Sequence, residues 1–360
     1  MYNGIIHVNN YKLTAKQVTE RDYDSETIPE IVALALEFIT DWFNGQQLFE
    51  IKTSGSTGKP KVISISRRQM SLSAQNTIMA LNIAAKDTAL IAMNTKFIGG
   101  KMMIVRALES GMDMIILEPS SNPLHNLPGE LRVDFTALIP LQLKEILEND
   151  PEKLNQIKYI LIGGAPLLPD LEVKIKDLKP AIYQTFGMTE TVSHIALRRL
   201  NGVNASDLYT AFENINLSQD ERGCLVINSE ITNNQPVITN DIVEIINRKQ
   251  FRWLGRIDNV INSGGIKIQI EKLERQLSVL LDTKLKFFVY GIPDKKLGEK
   301  VALLIESEPM SEDLHKKILI SLKGISQKYY RPREVLYLPS FIYSETGKIM
   351  KVESISLLNG

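Results

Sequence analysis

Apolar positions recur along this chain in two rhythms, and their alternation predicts its elements. Residues 29–44 (PEIVALALEFITDWFN) place apolar side chains three and four apart, the spacing of an amphipathic helix, with Pro29 near its start. A strand-like apolar run ends at Ile51, a glycine-rich loop follows, and 67–83 again reads as a helix. Short apolar runs at 89–93, 112–117, 135–139, 159–162 and 181–185 predict strands. Helical patterns at 100–109, 141–148 and 169–177 separate them, with turns at 119–129. Such alternation predicts an α/β fold with a mostly parallel sheet. After about residue 205 short strands dominate, at 224–228, 242–247 and 250–254, the last two joined by a turn at 247–249. Beyond Gly255 the pattern becomes a smaller α+β one. It has helices at 270–282 and 312–323, strands at 285–290, 300–305 and 334–338, and a polar loop at 343–348. We therefore expect a large α/β domain at 1–255 and a smaller α+β domain at 256–360.

Composition narrows the function classes. A hydrophobic share of 44% with 23% charged residues over 360 residues is that of a globular protein with a substantial core. Lys plus Arg and Asp plus Glu are equal at 42 each, so whole-chain charge gives no reason to expect nucleic acid or a membrane surface as partner. Cys224 is the only cysteine, which forbids an intrachain disulfide and suits a reducing compartment. His7, His125, His194 and His315 have no metal-ligand spacing. The first ten residues lack a signal-peptide pattern and no apolar run reaches membrane-span length, so the expected location is the cytoplasm.

Chemistry concentrates in five segments. Thr53, Ser54, Gly55, Ser56, Thr57 and Gly58 lead into Lys59, Pro60 and Lys61. Such a loop can turn backbone N–H groups inward as an anion nest, with hydroxyls and ammonium groups added, and its natural guest is a polyphosphate. It is not a Walker A loop, which needs four residues between its first glycine and Gly-Lys and a hydroxyl residue after the lysine. Standing alone it would be an ordinary surface loop. Thr189 and Glu190 follow a glycine turn at a strand end, where Glu190 can offer Mg²⁺ a hard oxygen ligand; alone they would read as a helix cap. Asp241, in Thr-Asn-Asp, can accept ribose hydroxyls, though an aspartate in a turn is common. Arg256 and Asp258 precede the Ser263-Gly264-Gly265 turn, and the arginine suits forked contacts with phosphate or ribose. Lys348, on a polar loop, can be brought to a negative reaction centre, yet a lone lysine there is usually solvated.

In this order the segments resemble the acyl-adenylate-forming superfamily, which includes acyl- and aryl-CoA ligases, luciferases and peptide-synthetase adenylation domains. The resemblance covers TSGSTGKPK at 53–61, GGA at 163–165, FGMTE at 186–190, TND at 239–241, GRIDNVINSGGIKI at 255–268, GIPD at 291–294 and TGK at 346–348. FIGGKMMIVRAL at 97–108, MTETVSHIALR at 188–198 and INSGGIKI at 261–268 are similar to the o-succinylbenzoate–CoA ligases of menaquinone biosynthesis. The resemblance implies an AMP-forming acid–thiol ligase that uses ATP, Mg²⁺ and coenzyme A. Residues 54–61 would cradle the β- and γ-phosphates, and Thr189 would meet the α-phosphate. Glu190 would hold Mg²⁺, and Lys348 would bridge the carboxylate and the α-phosphate. Asp241 and Arg256 would hold the ribose, and Gly163, Gly164, Ala165, Phe186 and Gly187 would border adenine. Asp258 would be the hinge of a mobile smaller domain, and Ser263, Gly264 and Gly265 would face the pantetheine channel. Lys101, Arg106, Thr191, Ser193 and His194 are the candidates for the acid's non-reacting carboxylate.

The chain also departs from the superfamily pattern. Val62 stands where a glycine is usual after the second lysine, Phe186 replaces a tyrosine, and Lys96-Phe97-Ile98 occupies the place of an aromatic–histidine pair. Members usually carry well over a hundred residues before the glycine loop, which here begins near 53, so the resemblance implies a largely missing N-terminal subdomain and an altered acyl pocket. A homodimer is compatible with it. Another aryl or acyl substrate, or a silent adenylate-binding homologue, remains open beside the ligase expectation.

Overall fold

The structure is a computed structural model that describes residues 2–8, 11–52, 62–127, 131–165, 167, 169–282, 285–344 and 349–358. Thirteen strands form the main sheet. Its parallel half runs through Ile6–Val8, Asp113–Ile116, Thr88–Ile91, Val133–Leu138, Ile157–Ile162 and Ala181–Gly187. Successive residues of one central strand serve opposite faces, as the two-residue pleat requires. Ala89 and Ile91 join the core built on the helices Glu30–Phe43, Arg67–Leu81 and Ile98–Ser110. Leu90 and Ala92 join a second core with Pro140–Asn149 and Pro169–Ile175. Strands buried on both faces read as unbroken apolar runs, which is why their sequence shows no alternation.

Local signals set the helix ends. Ser66 and Gln69 form a reciprocal capping box at the start of Arg67–Leu81, and Asn82 closes that helix in the left-handed region. Before it stands a strand the periodicity does not predict: Val62–Ser66 pairs antiparallel with Leu48–Lys52, so the two ends of the glycine loop sit side by side.

Beyond Ala181–Gly187 the main sheet becomes antiparallel, through His194–Arg199, Tyr209–Ala211, Gln250–Arg256, Val237–Ile245, Cys224–Asn228 and Asn216–Gln219. The chain leaves this sheet after Arg256 and enters a five-stranded one at Val260. There Val260–Ser263 and Ile266–Gln269 make a two-residue hairpin, with Gly264 and Gly265 both at positive φ (59° and 80°). That pair of angles matches the twist of the flanking strands and excludes most side chains. Gly298–Glu306 pairs with Phe287–Asp294 and with Glu334–Leu338, and the helices Ile270–Leu280 and Glu312–Leu322 pack on the resulting core. The α/β class, with a separate smaller sheet towards the C-terminus, is the one expected. No helix among the described residues is long and apolar enough to cross a membrane.

Candidate active site

A cleft of about 850 Å³ opens where the carboxyl ends of the parallel strands meet the antiparallel half of the sheet. Ligands gather at such ends in open α/β sheets because the loops there diverge. Gly164, Ala165, Phe186, Gly187, Glu190, Asp241 and Arg256, all singled out by motif, line this one cleft. The hairpin Val237–Ile245 and Gln250–Arg256 supplies the last two, since its register sets Asp241 directly opposite Arg256.

Charge in the cleft is arranged asymmetrically. Asp241 is 7% exposed and accepts a hydrogen bond from Trp253 Nε1 at 2.9 Å. Burial raises its pKa, and the indole N–H and Arg256, whose Nη1 lies 3.7 Å away, pull it back. Arg256 donates a fork to Asp258, Nε to Oδ1 at 2.9 Å and Nη2 to Oδ2 at 2.6 Å. That fork lowers the Asp258 pKa, and Asn240 donates to the same carboxylate at 3.1 Å. Asp241 Oδ2, with only Arg256 Nη1 at 3.7 Å among the described residues, thus keeps acceptor capacity, whereas both oxygens of Asp258 are hydrogen-bonded. Glu190 is exposed, lines the cleft and makes no hydrogen bond or ion pair among the described residues. The Phe186 ring meets Tyr209 and Phe251 edge-on, with centroids 5.5 and 5.1 Å away, and those two rings stack on each other.

Behind Gly187 lies a second cluster. A Cβ on Gly187 would collide with Ser193 O and His194 Cα, so only glycine lets the two strands approach this closely. Arg106, 2% exposed, donates from Nε to Thr77 Oγ1 at 3.0 Å and from Nη2 to Ser193 Oγ at 2.9 Å, and lies 3.3 Å from His194 Nδ1. Thr77 Oγ1 also meets His194 Nε2 at 3.0 Å. Burial alone pulls the Arg106 pKa down to about 9. Burial first and Arg106 second hold the His194 pKa well below the usual imidazole value, so the ring is neutral. Among the described residues no carboxylate pairs with this guanidinium. Thr191, fully buried, caps the same turn through Met188 and Ser193.

The other motif residues fall elsewhere. Gly163 sits just behind the cleft, where a Cβ would touch Thr185 Oγ1 at 3.0 Å, and Thr189 opens the short 189–191 turn beside Glu190. The Ser263–Gly265 hairpin lies in the smaller sheet, with Gly264 N donating to Leu297 O. Lys101 lines a separate cleft of about 390 Å³ with Phe38 and Asp41, its ammonium 4.7 Å above the Phe38 ring. Residues 53–61 and Lys348 lie outside the described residues. Trp253, Thr77 and Glu172 were not singled out by motif. Trp253 had a signal in its place two residues before Gly255, while Thr77 and Glu172 had none, being ordinary polar residues on helices.

Comparison with known proteins agrees with this geometry. The AMP-binding enzyme family matches residues 47–214. A solved structure from Dyadobacter fermentans, described as an acyl-CoA synthetase (AMP-forming)/AMP-acid ligase II-like protein, is 38% identical. The match covers 96% of this chain and 99% of that one, with a TM-score of 0.64. The 2-succinylbenzoate–CoA ligase of Oceanobacillus iheyensis is 24% identical over 92% of this chain and 74% of its own length. A long-chain-fatty-acid–CoA ligase of Mycobacterium tuberculosis is 23% identical over 84% of this chain and 66% of its own. With the cleft, its motif residues and a relative matched along nearly its whole length, the chain belongs to the AMP-binding enzyme family, among the AMP-forming acyl-CoA synthetases.

Proposed function

We propose that this protein is an ATP-dependent acid–CoA ligase whose acid is o-succinylbenzoate. The observation that carries the choice of acid is the buried Arg106 guanidinium, which has hydroxyl partners and, among the described residues, no carboxylate of its own. A buried charge wants a counter-charge. An acid with two carboxylates supplies one to Arg106, Thr77 and Ser193 and keeps the other for reaction. Thr191 and neutral His194 pack beside this guanidinium and its Ser193 partner. Lys101 lines a different cleft and takes no part in this reading.

In the first step a carboxylate oxygen of the acid attacks the α-phosphorus of ATP, and pyrophosphate leaves. In the second the coenzyme A thiol, losing its proton, attacks the acyl carbon, and AMP leaves. The obstacle in the first step is the approach of one anion to another, so positive charge and donors must be held where charge develops. Residues 54–61 would hold the β- and γ-phosphates, Thr189 the α-phosphate, and Lys348 the space between carboxylate and phosphorus. Asp241 and Arg256 would take the ribose. Gly163, Gly164, Ala165, Phe186 and Gly187 would border the base. No cluster of three or more His, Cys, Asp or Glu among the described residues is placed to hold a metal by itself. The Glu190 carboxylate, without a partner among the described residues, suits Mg²⁺ shared with phosphate oxygens, where the ion would offset phosphate charge. Regions 1–255 and 256–360 would act as two bodies pivoting at Asp258, exchanging Lys348 for the Ser263–Gly265 turn at the cleft.

The test is release of AMP by the full chain with ATP, Mg²⁺ and coenzyme A over a panel of acids. o-Succinylbenzoate should be turned over well, and benzoate, succinate and fatty acids poorly. The fatty-acyl relative favours a second reading, another acyl substrate, and comparable rates with fatty acids would establish it instead. No AMP release and no ATP–pyrophosphate exchange with any acid would leave a silent adenylate-binding protein.

A further inference from the structure

One carboxylate in the cleft holds guanidinium groups from both sheets. Glu172 sits on the helix Pro169–Ile175, which packs on the main sheet. Its Oε1 accepts from Arg198 Nη2 at 2.6 Å, and its Oε2 accepts from Arg275 Nη2 at 3.0 Å. Arg198 belongs to the strand His194–Arg199, paired with the strand that carries Phe186, and faces Gln184 across the ladder. Arg275 belongs to the helix Ile270–Leu280, which packs on the smaller sheet. Among the described residues, Glu172–Arg275 is the only ion pair that joins a residue before 256 to one beyond 259. All three side chains line the same cleft as Gly164, Phe186 and Asp241.

We infer that Glu172 is a positioning residue for the ligase reaction: it fastens the 256–360 region against the cleft by serving Arg198 and Arg275 at once. This rests on the two-body reading above. The charges explain why the carboxylate is the keystone. The Arg198 side chain is only 10% exposed, and its Nε has no partner among the described residues. Its second carboxylate neighbour, Asp207, lies 3.7 Å away on a side chain 78% exposed. Without Glu172, a nearly buried cation would face the Arg275 cation across the junction, so repulsion would replace attraction. Without Arg275 only the bridge is lost, since Arg198 keeps Glu172. The Arg275 end is more than half exposed, so salt weakens it first. Phe186 lies two residues beyond Gln184 on the strand paired with Arg198, so the fastener and the proposed base pocket share one strand pair.

The experiment compares the full-length protein with Glu172→Gln, Arg275→Gln and the double variant by hydrogen–deuterium exchange, with no substrate present. Arg275→Gln should raise exchange in 270–280 and 169–175 about fivefold, and Glu172→Gln should raise it at least as much. Strand Gly298–Glu306, at the centre of the smaller sheet, should be unchanged. The double variant should be no more open than Glu172→Gln, because both changes remove the same contact. Additive effects, or no change in either single variant, would overturn the inference. Should Glu172→Gln fail to fold, Arg275→Gln at its exposed site decides alone. The exchange readout does not depend on which acid is used or on activity, so a failed ligase reading leaves it interpretable. In active protein the variants should shift the ratio of adenylation to thioester formation, which a merely structural role would leave constant.

Discussion

Replacing Arg106 by glutamine tests the proposed acid contact and the electrostatics together. The buried guanidinium has its pKa pulled down to about 9 by burial. A fall of that size from the ordinary arginine range disfavours the charged folded form by something on the order of 5 kcal/mol, before its hydroxyl contacts return part of it. The charged form is the penalised one, so the penalty acts in full below about pH 9 and fades only as pH rises through that value. Without ligand, Arg106→Gln should therefore melt no lower than the parent at neutral pH, and any advantage should shrink above pH 9. With ligand the order reverses. A carboxylate bonded to a cation contributes about 1.5–3 kcal/mol, which is roughly a ten- to hundredfold preference for the acid that carries it. The assay measures kcat/KM from AMP release with o-succinylbenzoate and with benzoylpropionate, which lacks the ring carboxylate. The parent should prefer the diacid by about that factor, and Arg106→Gln should lose most of the preference while handling benzoylpropionate nearly as before. An unchanged ratio between the two acids would refute the assignment, and a variant that melts far lower at pH 7 would refute the account of the buried charge.

Three further outcomes are expected. Asp241→Asn should leave the melting temperature unchanged or higher at pH 7, because burial raises that carboxyl's pKa and its charge costs the folded state until pH falls towards the carboxylate range. The same variant should bind ATP about tenfold or more weakly by calorimetry, having lost a charged acceptor. Asp258→Asn should lower stability at neutral pH, since the Arg256 fork depresses the Asp258 pKa. That contribution is present above the ordinary carboxylate pKa and disappears as pH falls through the depressed one, so urea titrations of variant and parent should converge in acid. Lys348→Ala should suppress ATP–pyrophosphate exchange far more than thioester formation from supplied acyl-adenylate, and equal loss of both would contradict the two-position scheme.

Much of this architecture was legible in the chain, for identifiable reasons. Helices such as Glu30–Phe43 and Ile270–Leu280 carry a one-sided apolar stripe, which survives any tertiary context. The central strands announced themselves as short apolar runs between turns. Val62–Ser66 is harder to read because it is only five residues long, directly follows the glycine loop and exposes Val62 and Ser64, so the Ile63/Ile65 alternation is too short to stand out. The cleft's motif residues were legible because backbone-defined chemistry leaves compact sequence traces. Arg106 sits in an apolar helix run and is a candidate by resemblance alone; its burial against Ser193 and His194 shows only once His194–Arg199 is folded beside it. The pairing of Glu172 with two arginines about 26 and 103 positions away has no local signature at all, since tertiary packing alone creates it.

The crowding at Gly187 has a practical corollary for anyone retuning substrate choice. The 850 Å³ cleft lies on one side of that residue and the buried Arg106 cluster on the other, with the Ser193 carbonyl and His194 backbone pressed against it. A close-packed seam of this kind has no slack to absorb a shift. With the proposed sites, remodelling the acid side by enlarging residues near Ser193 should therefore register as a change in the Michaelis constant for ATP, and selections run at saturating nucleotide would overlook it.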